Sequence, residues 1–455
     1  MRSTQLFARS LREVRHLVRL AAPLVAGLAL STGMLLVDTA MLGPLGAVPL
    51  AAVSLTTSVL IIFWAALYGF AGPVGLLAGR AFGALDLPGI GHVARHGFAL
   101  ALVAGTVGAI AMAALLPVLP FLGQPLEVTN AMGPYWLCVS ASLVPFTVTM
   151  AAKNLFDATD QPWVSVGLTA VPVALNVFLN WVLIYGNLGA PALGLTGAGV
   201  ASLLAQLGGA VLICGCARLA PWMREWWAAP RWERAEFVRL WREALPMTTQ
   251  YFLEGAAVAV AGVLIGLFGT VALAGNQVAL SVGATLYMLP MGMAGAVSIR
   301  VAQAAGAREH RRIAPIGFAG LGVVTAWMGA IALLFLTSGA QIAGWFVDDP
   351  AVIAAAASIF IVYGVMQLAD GVQSVSLGAL RGLLDNVWPT RVSLIAYWLV
   401  ALPLGALLGF GAGWGAAGVW AGFGAGLLGA SVALLRRFVH LTRRKRPALA
   451  PASPT

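Results

Sequence analysis

The chain has 455 residues, of which 60% are hydrophobic and 9% charged, with a formal net charge of +10. This composition excludes a soluble globular domain and describes a polytopic membrane protein, because a bilayer span takes about 20 mostly apolar residues. The positive balance does not imply nucleic acid, since the cations flank apolar stretches where anionic lipid headgroups account for them.

In chain order, the opening MRSTQLFARSLREVRHLVRL spaces its arginines through an amphipathic helix and has no small-residue cleavage site. It reads as a retained cytoplasmic helix. Six spans follow at 20–42, 50–79, 93–118, 132–155, 163–185 and 195–217, then six more at 246–268, 272–299, 313–337, 352–380, 389–410 and 414–436. With the N-terminus inside, all 26 Lys and Arg fall on the cytoplasmic side. The positive-inside rule therefore places both termini in the cytoplasm of a multi-pass protein of the bacterial inner membrane.

The predicted organisation is an N-lobe over 1–218, a cytoplasmic linker over 219–243, a C-lobe over 244–440 and a basic, disordered tail over 441–455. The linker mixes charge with Trp222, Trp226, Trp227, Trp232 and Trp241, which suits a helix on the headgroup layer. The C-lobe repeats the N-lobe at an offset of 223: Pro23 matches Pro246, Gly43 Gly266, Gly46 Gly269, Ser58 Ser281, Gly69 Gly292, Gly72 Gly295 and Gly83 Gly306. Six spans is an even number, so the repeat is parallel, an architecture usual in secondary transporters. Beyond span two the offset drifts with loop length.

Three carboxylates interrupt the apolar spans. Asp38 is in span one, Glu254 in span seven and Asp370 in span ten. Each costs roughly 2.5 to 3.5 kcal/mol near a span centre unless protonated or paired, so each reads as functional. Asn176 and Asn180, four apart on one face of span five, can hydrogen-bond Asp38. Glu254 and Asp370, at similar depth, can share a proton or gather a Na⁺. An offset of 223 sets Ala261 opposite Asp38, Ser31 opposite Glu254 and Thr147 opposite Asp370, so the acids break the repeat.

The other polar positions say less. Gln277 and Ser58 lie near the outer ends of spans eight and two, and Asp348 and Asp349 in the loop before span ten. Asp349 before Pro350 also has the form of a helix N-cap. His16, His92, His96, His310 and His440 are all cytoplasmic or at that boundary, which excludes an intramembrane zinc site, histidine relay or His-based catalytic dyad and argues against an enzyme such as a membrane-embedded hydrolase or acyltransferase. The three cysteines suit neither metal nor disulfide.

Three runs then carry a resemblance: Val37-Asp38-Thr39-Ala40-Met41-Leu42-Gly43, Asn276-Gln277-Val278-Ala279-Leu280 with Met288-Leu289-Pro290-Met291-Gly292, and Gln367-Leu368-Ala369-Asp370-Gly371-Val372-Gln373 with Leu380-Arg381-Gly382. Together they resemble the multidrug and toxic compound extrusion family, MATE, in its NorM-like branch. The resemblance departs at Asn276 and Ser281, where the family pattern has His and Asn. It implies an all-α, V-shaped fold of 12 transmembrane helices in two six-helix lobes. The implied activity is export of lipophilic, often cationic drugs, dyes and toxic compounds by an antiporter coupled to Na⁺ or H⁺, without other cofactor. It implies a C-lobe cation site at Glu254 and Asp370, an ion-responsive N-lobe site at Asp38, Asn176 and Asn180, and a substrate region including Gln277, Ser58, Asp348 and Asp349. No metal is expected beyond Na⁺ at Glu254 and Asp370. The partners are these small molecules and membrane lipid, with no nucleic acid, and the chain is expected to act as a monomer. The rivals are a lipid-linked saccharide flippase of the same superfamily, disfavoured by the lack of a Lys or Arg well inside a span, and an ion channel or receptor, disfavoured by the repeat.

Overall fold

The computed structural model describes residues 2–122, 126–219 and 232–444. Among them are twelve helices long and apolar enough to cross a membrane. In chain order they are α1 (Arg2–Leu42), α2 (Ala47–Gly83), α3 (Leu87–Ala114), α4 (Leu126–Ala158), α5 (Pro162–Tyr185), α6 (Leu195–Leu219), α7 (Arg234–Gly266), α8 (Thr270–Gly306), α9 (His310–Gly344), α10 (Pro350–Gly382), α11 (Val387–Gly411) and α12 (Gly415–Arg444). Helices are the outcome such residues dictate, because lipid offers no partner to a backbone N–H or C=O and the helix satisfies them internally. Trp222, Trp226 and Trp227 of the predicted linker and residues 445–455 of the predicted tail lie outside the described residues.

The repeat extends to backbone detail. α2 and α8 are each 37 residues long and displaced by 223. Their N-caps are the matching Gly46 and Gly269, with φ of 106° and 103°, a conformation that favours glycine. α4 and α10 are each 33 residues long, and Leu126 to Pro350 is a displacement of 224. The drift is thus one residue by the fourth helix, and it moves the partner of Asp370 from Thr147 to Phe146. The asymmetry of the acid survives this correction.

Helices α2, α4, α8 and α10 end in one recurring turn. The second residue past each helix is left-handed and not glycine: Leu85, Asp160, Arg308 and Leu384, with φ of 57° to 59°. The following amide then bonds the carbonyl five residues back, Asp86 to Ala81, Gln161 to Phe156, Glu309 to Ala304 and Asp385 to Leu380, at 2.9 to 3.0 Å. These are Schellman bonds that satisfy carbonyls left over at a helix end.

Two compact units result, one formed by Pro23–Phe252 and the other by Met1–Ala22 with Leu253–Thr455. They differ from the predicted lobes in that the boundaries fall inside α1 and α7. The first unit is cored by Trp136, Met132 and Leu143, and the Trp136 indole donates to Met112 O at 2.8 Å. It also holds the start of α7, where the Glu233 amide donates to His96 Nε2 at 2.9 Å and Arg95 lies 4.4 Å over Trp232. The second unit is cored by Phe335, Phe360 and Phe423, and Gly378 brings α10 so close to the Ala294 carbonyl of α8 that a Cβ would clash. It holds the start of α1, where Glu13 accepts from Arg312 at 2.9 and 3.1 Å and pairs with Arg300 at 3.7 Å. Each repeat's first helix therefore opens against the second and third helices of the other repeat.

Candidate ion-coupling sites

In the first unit, α1 and α5 bring Asp38, Asn176 and Asn180 together. Asn180 Nδ2 donates to Asp38 Oδ1 at 2.5 Å and to Asn176 Oδ1 at 3.1 Å. Asn176 Nδ2 in turn donates to Ser202 Oγ of α6 at 3.2 Å. All three predicted residues are buried, and the carbonyl Oδ1 of Asn180 has no partner. With both Nδ2 hydrogens used, that oxygen remains an acceptor for a proton donor or a cation. Ser202 is new to the site, as is buried Tyr135 of α4, which lies within electrostatic reach of Asp38.

The second unit builds its site on α7, α8, α10 and α11. Tyr287 donates its hydroxyl hydrogen to Asp370 Oδ1 at 3.2 Å and shares a hydrogen bond with Ser374 Oγ. One hydroxyl has one proton, so Ser374 donates to Tyr287 and Tyr287 to the acid. Glu254 has the same arrangement from the other side: it hydrogen-bonds Tyr397, and Gln373 Nε2 donates to the Tyr397 hydroxyl at 3.0 Å. Glu254 and Asp370 interact with each other, and Tyr363 lies within reach of Asp370. Each carboxylate thus has a tyrosine donor, and each tyrosine has a second donor behind it on α10. A hydrogen bond to a charged group is worth about 1.5 to 3 kcal/mol, the size of the cost of one intramembrane charge. Charged and neutral states are thereby brought close in energy.

The residues predicted for a substrate region do not join either cluster through any hydrogen bond. Ser58 is exposed on α2 and donates to its own helix at Ser54 O, 2.9 Å away. Gln277 is exposed on α8, with its backbone carbonyl accepting from Ser281. Asp348 is exposed, and Asp349 is the N-cap of α10, accepting from the Ala351 amide at 2.8 Å with Pro350 at the first helical position. Asn276, which departs from the family pattern, is buried and accepts from the Trp420 indole at 2.8 Å, a core contact. Lys153 of α4 is buried, but its charge is met 2.7 Å away by Asp157 of the same helix.

The sequence pattern singled out carboxylates, amides and Ser58, and Tyr287, Tyr397, Ser374 and Ser202 did not stand out from it. A signal did exist: the chain has seven tyrosines among 455 residues, and Tyr287, Tyr363 and Tyr397 lie in spans that flank or carry the acids.

Known proteins resemble this chain along nearly its whole length. The MatE family model matches residues 23–182 and 246–407, the two halves of the repeat. A probable multidrug resistance protein NorM of Deinococcus radiodurans is 33% identical over 442 residues, covering 96% of this chain and 97% of its own. Its counterpart in Rhizobium meliloti is 32% identical over 438 residues, covering 92% of this chain and 91% of its own. Among solved structures, the Vibrio cholerae MATE transporter VcmN in its bent form superposes with a TM-score of 0.86 over 96% of this chain and 99% of that one, at 19% identity.

Proposed function

From the premise that this chain belongs to the MatE family of transporters and is not an enzyme, we propose that it is a multidrug efflux antiporter. It exports lipophilic, often cationic small molecules in exchange for inward-moving H⁺ or Na⁺. The observation that supports this reading is the state of the three acids. Among the described residues none of Asp38, Glu254 and Asp370 forms a salt bridge, and their hydrogen bonds come from neutral amides and phenols. Asp38 and Asp370 held this way face no protein cation, and Glu254 feels Arg381 only through electrostatic attraction without a salt bridge, so a proton, a metal ion or a cationic substrate can compete for these acids.

The mechanism follows from that competition. Ionised acids attract a cationic substrate; loading them with the coupling ion from the outer side removes that attraction and releases the substrate outward. Discharge of the ion to the cytoplasm restores the acids for the next substrate, and each ligand acts only through its different affinity for the two conformations. In this reading both termini are cytoplasmic, the protein sits in the inner membrane as a monomer, and Gln277, Ser58, Asp348 and Asp349 contribute to the outer substrate region. The flippase reading gains nothing from Lys153, whose charge is already neutralised within α4.

Accumulation of ethidium in everted membrane vesicles, which is the efflux direction in that orientation, tests this, with the proton and Na⁺ gradients collapsed separately. Collapse of one gradient should stop efflux. Asp38→Asn, Glu254→Gln and Asp370→Asn should each slow it by about tenfold or more, the loss of roughly one charge-assisted interaction. Wild-type rates in all three variants would remove these acids from the mechanism.

A further inference from the structure

Below the acid pair of the second unit, on the side carrying the turn Gly382–Val387, lie polar atoms that the sites described above leave unused. Gln373 Oε1, Ser376 Oγ and Ser393 Oγ are each without a hydrogen-bond partner, on side chains that are 2%, 1% and 0% exposed. Most other buried serine and threonine hydroxyls among the described residues donate back to their own helix, as Thr56, Ser140, Thr147, Thr149 and Thr169 do at 2.7 to 3.1 Å. Ser376 and Ser393 do not, although the carbonyl four residues back is always in reach of a helical serine. A hydroxyl unpaired in a protein interior is costly, and such groups are the ones that ordered water satisfies.

Their depths coincide. Gln373 stands nine residues before the end of α10 at Gly382, and Tyr397 ten residues after the start of α11 at Val387. At 1.5 Å per residue both lie about 14 to 15 Å in, and their side chains are hydrogen-bonded. Ser376 and Ser393 are each six residues from those ends, about 9 Å in, one turn closer to the surface. Ser431 of α12 is also buried near that end, with its hydroxyl donating to Leu428 O and its oxygen lone pairs able to accept. From the acids outward the polar groups therefore run Glu254, Tyr397 with Gln373, then Ser376 with Ser393. Next to this line α11 leaves regular geometry for a π-helical stretch at Ile395–Ala401, a local widening frequent at functional positions.

The other repeat is an internal control. Counted from the helix starts Leu126 and Pro350, Gln373 faces Thr149 and Ser376 faces Ala152; counted from Pro162 and Val387, Ser393 faces Leu168. Thr149 donates to Pro145 O at 2.8 Å, and the other two are apolar. At these matched positions the unused polar groups thus belong only to the unit with the paired acids.

We propose that Gln373, Ser376 and Ser393 line a buried, hydrated passage through which the Glu254 and Asp370 pair exchanges protons with the cytoplasm. This rests on the reading of that pair as the coupling site. A proton leaves the carboxylic acid along hydrogen-bonded water held by these groups and emerges as hydronium, leaving the carboxylate behind. The hydroxyls and the amide orient the water and are not themselves consumed.

The test uses the full-length protein in proteoliposomes, with pyranine reporting protons released on the cytoplasmic side after ethidium is added. Valine and threonine have nearly the same shape, so the Ser376→Val, Ser393→Val pair and the Ser376→Thr, Ser393→Thr pair separate the hydroxyl from bulk. The valine pair should slow proton release by about tenfold, the order that one net hydrogen bond carries, while ethidium binding in detergent is kept and the threonine pair stays near wild type. Proton release at the wild-type rate in the valine pair, equal slowing in both pairs, or turnover of the wild type with no proton release would each overturn the passage. Asp370→Asn is the control for the underlying reading: if it releases protons as the wild type does, the coupling site itself is misassigned, whereas a normal loss there beside an unaffected valine pair removes only the passage. Should the valine pair not fold, Ser393→Cys in a chain carrying Cys138→Ala, Cys214→Ala and Cys216→Ala is treated with 2-aminoethyl methanethiosulfonate from the cytoplasmic side. Modification supports a hydrated passage, and an inert thiol overturns it.

Discussion

Asp38 receives its 2.5 Å hydrogen bond from a secured amide, Asn180, while Asp370 receives a 3.2 Å bond from a phenol. Because each acid depends on one main donor, removing that donor without touching the acid isolates its contribution. Tyr287→Phe and Asn180→Leu should each lower the initial rate of ethidium efflux by about tenfold with protein level in the membrane unchanged. A rate within about twofold of wild type for either would make that donor dispensable. The acids and the two asparagines were legible in the sequence because a carboxylate or amide in an apolar run has no bland explanation. Tyrosine has one, as it anchors equally well at membrane interfaces, and serine has another, as it bonds back to its own helix. It is the folded structure that turns Tyr287 and Tyr397 inward and leaves the hydroxyls of Ser376 and Ser393 off their helix carbonyls.

At the level of elements, the four turns closing α2, α4, α8 and α10 put leucine, aspartate, arginine and leucine in a left-handed conformation. That geometry costs a residue with a Cβ about 1 kcal/mol relative to glycine. Leu85 is 88% exposed, so it gains little from packing in return. Leu85→Gly should therefore raise thermal stability by the equivalent of about 1 kcal/mol, read as an increased Tm of the purified protein in detergent. A lowered Tm would mean that the leucine makes a compensating contact. The spans were readable from hydropathy and the amphipathic opening and linker from their charge pattern, yet the joins were not: α1 runs unbroken from Arg2 and α7 from Arg234 into the apolar stretches at 20 and 246. Charged turns such as those around Glu13 extend a membrane helix when ion pairs like Glu13 with Arg312 receive them, which hydropathy cannot register.

For the whole molecule, the duplicated frame explains why function collects where symmetry fails. The two halves share helix lengths, glycine N-caps and closing turns, while Asp370 faces Phe146 and the unused polar groups of α10 and α11 face residues that need nothing. The duplication was visible in the sequence through matched glycines, which the backbone at Gly46 and Gly269 requires. The division into units was less so, because the opening turns of α1 and α7 pack with the opposite repeat and no periodicity records that exchange. The central claim is that ion and substrate compete for the buried acids, and competition makes exchange reversible. The most direct measurement loads proteoliposomes with ethidium, imposes no ion gradient, and records proton and Na⁺ movement as the dye leaves. The account predicts that dye running down its own gradient drives one of these ions uphill in the opposite direction and that Asp370→Asn abolishes this; dye efflux at full rate with neither ion moving would contradict it.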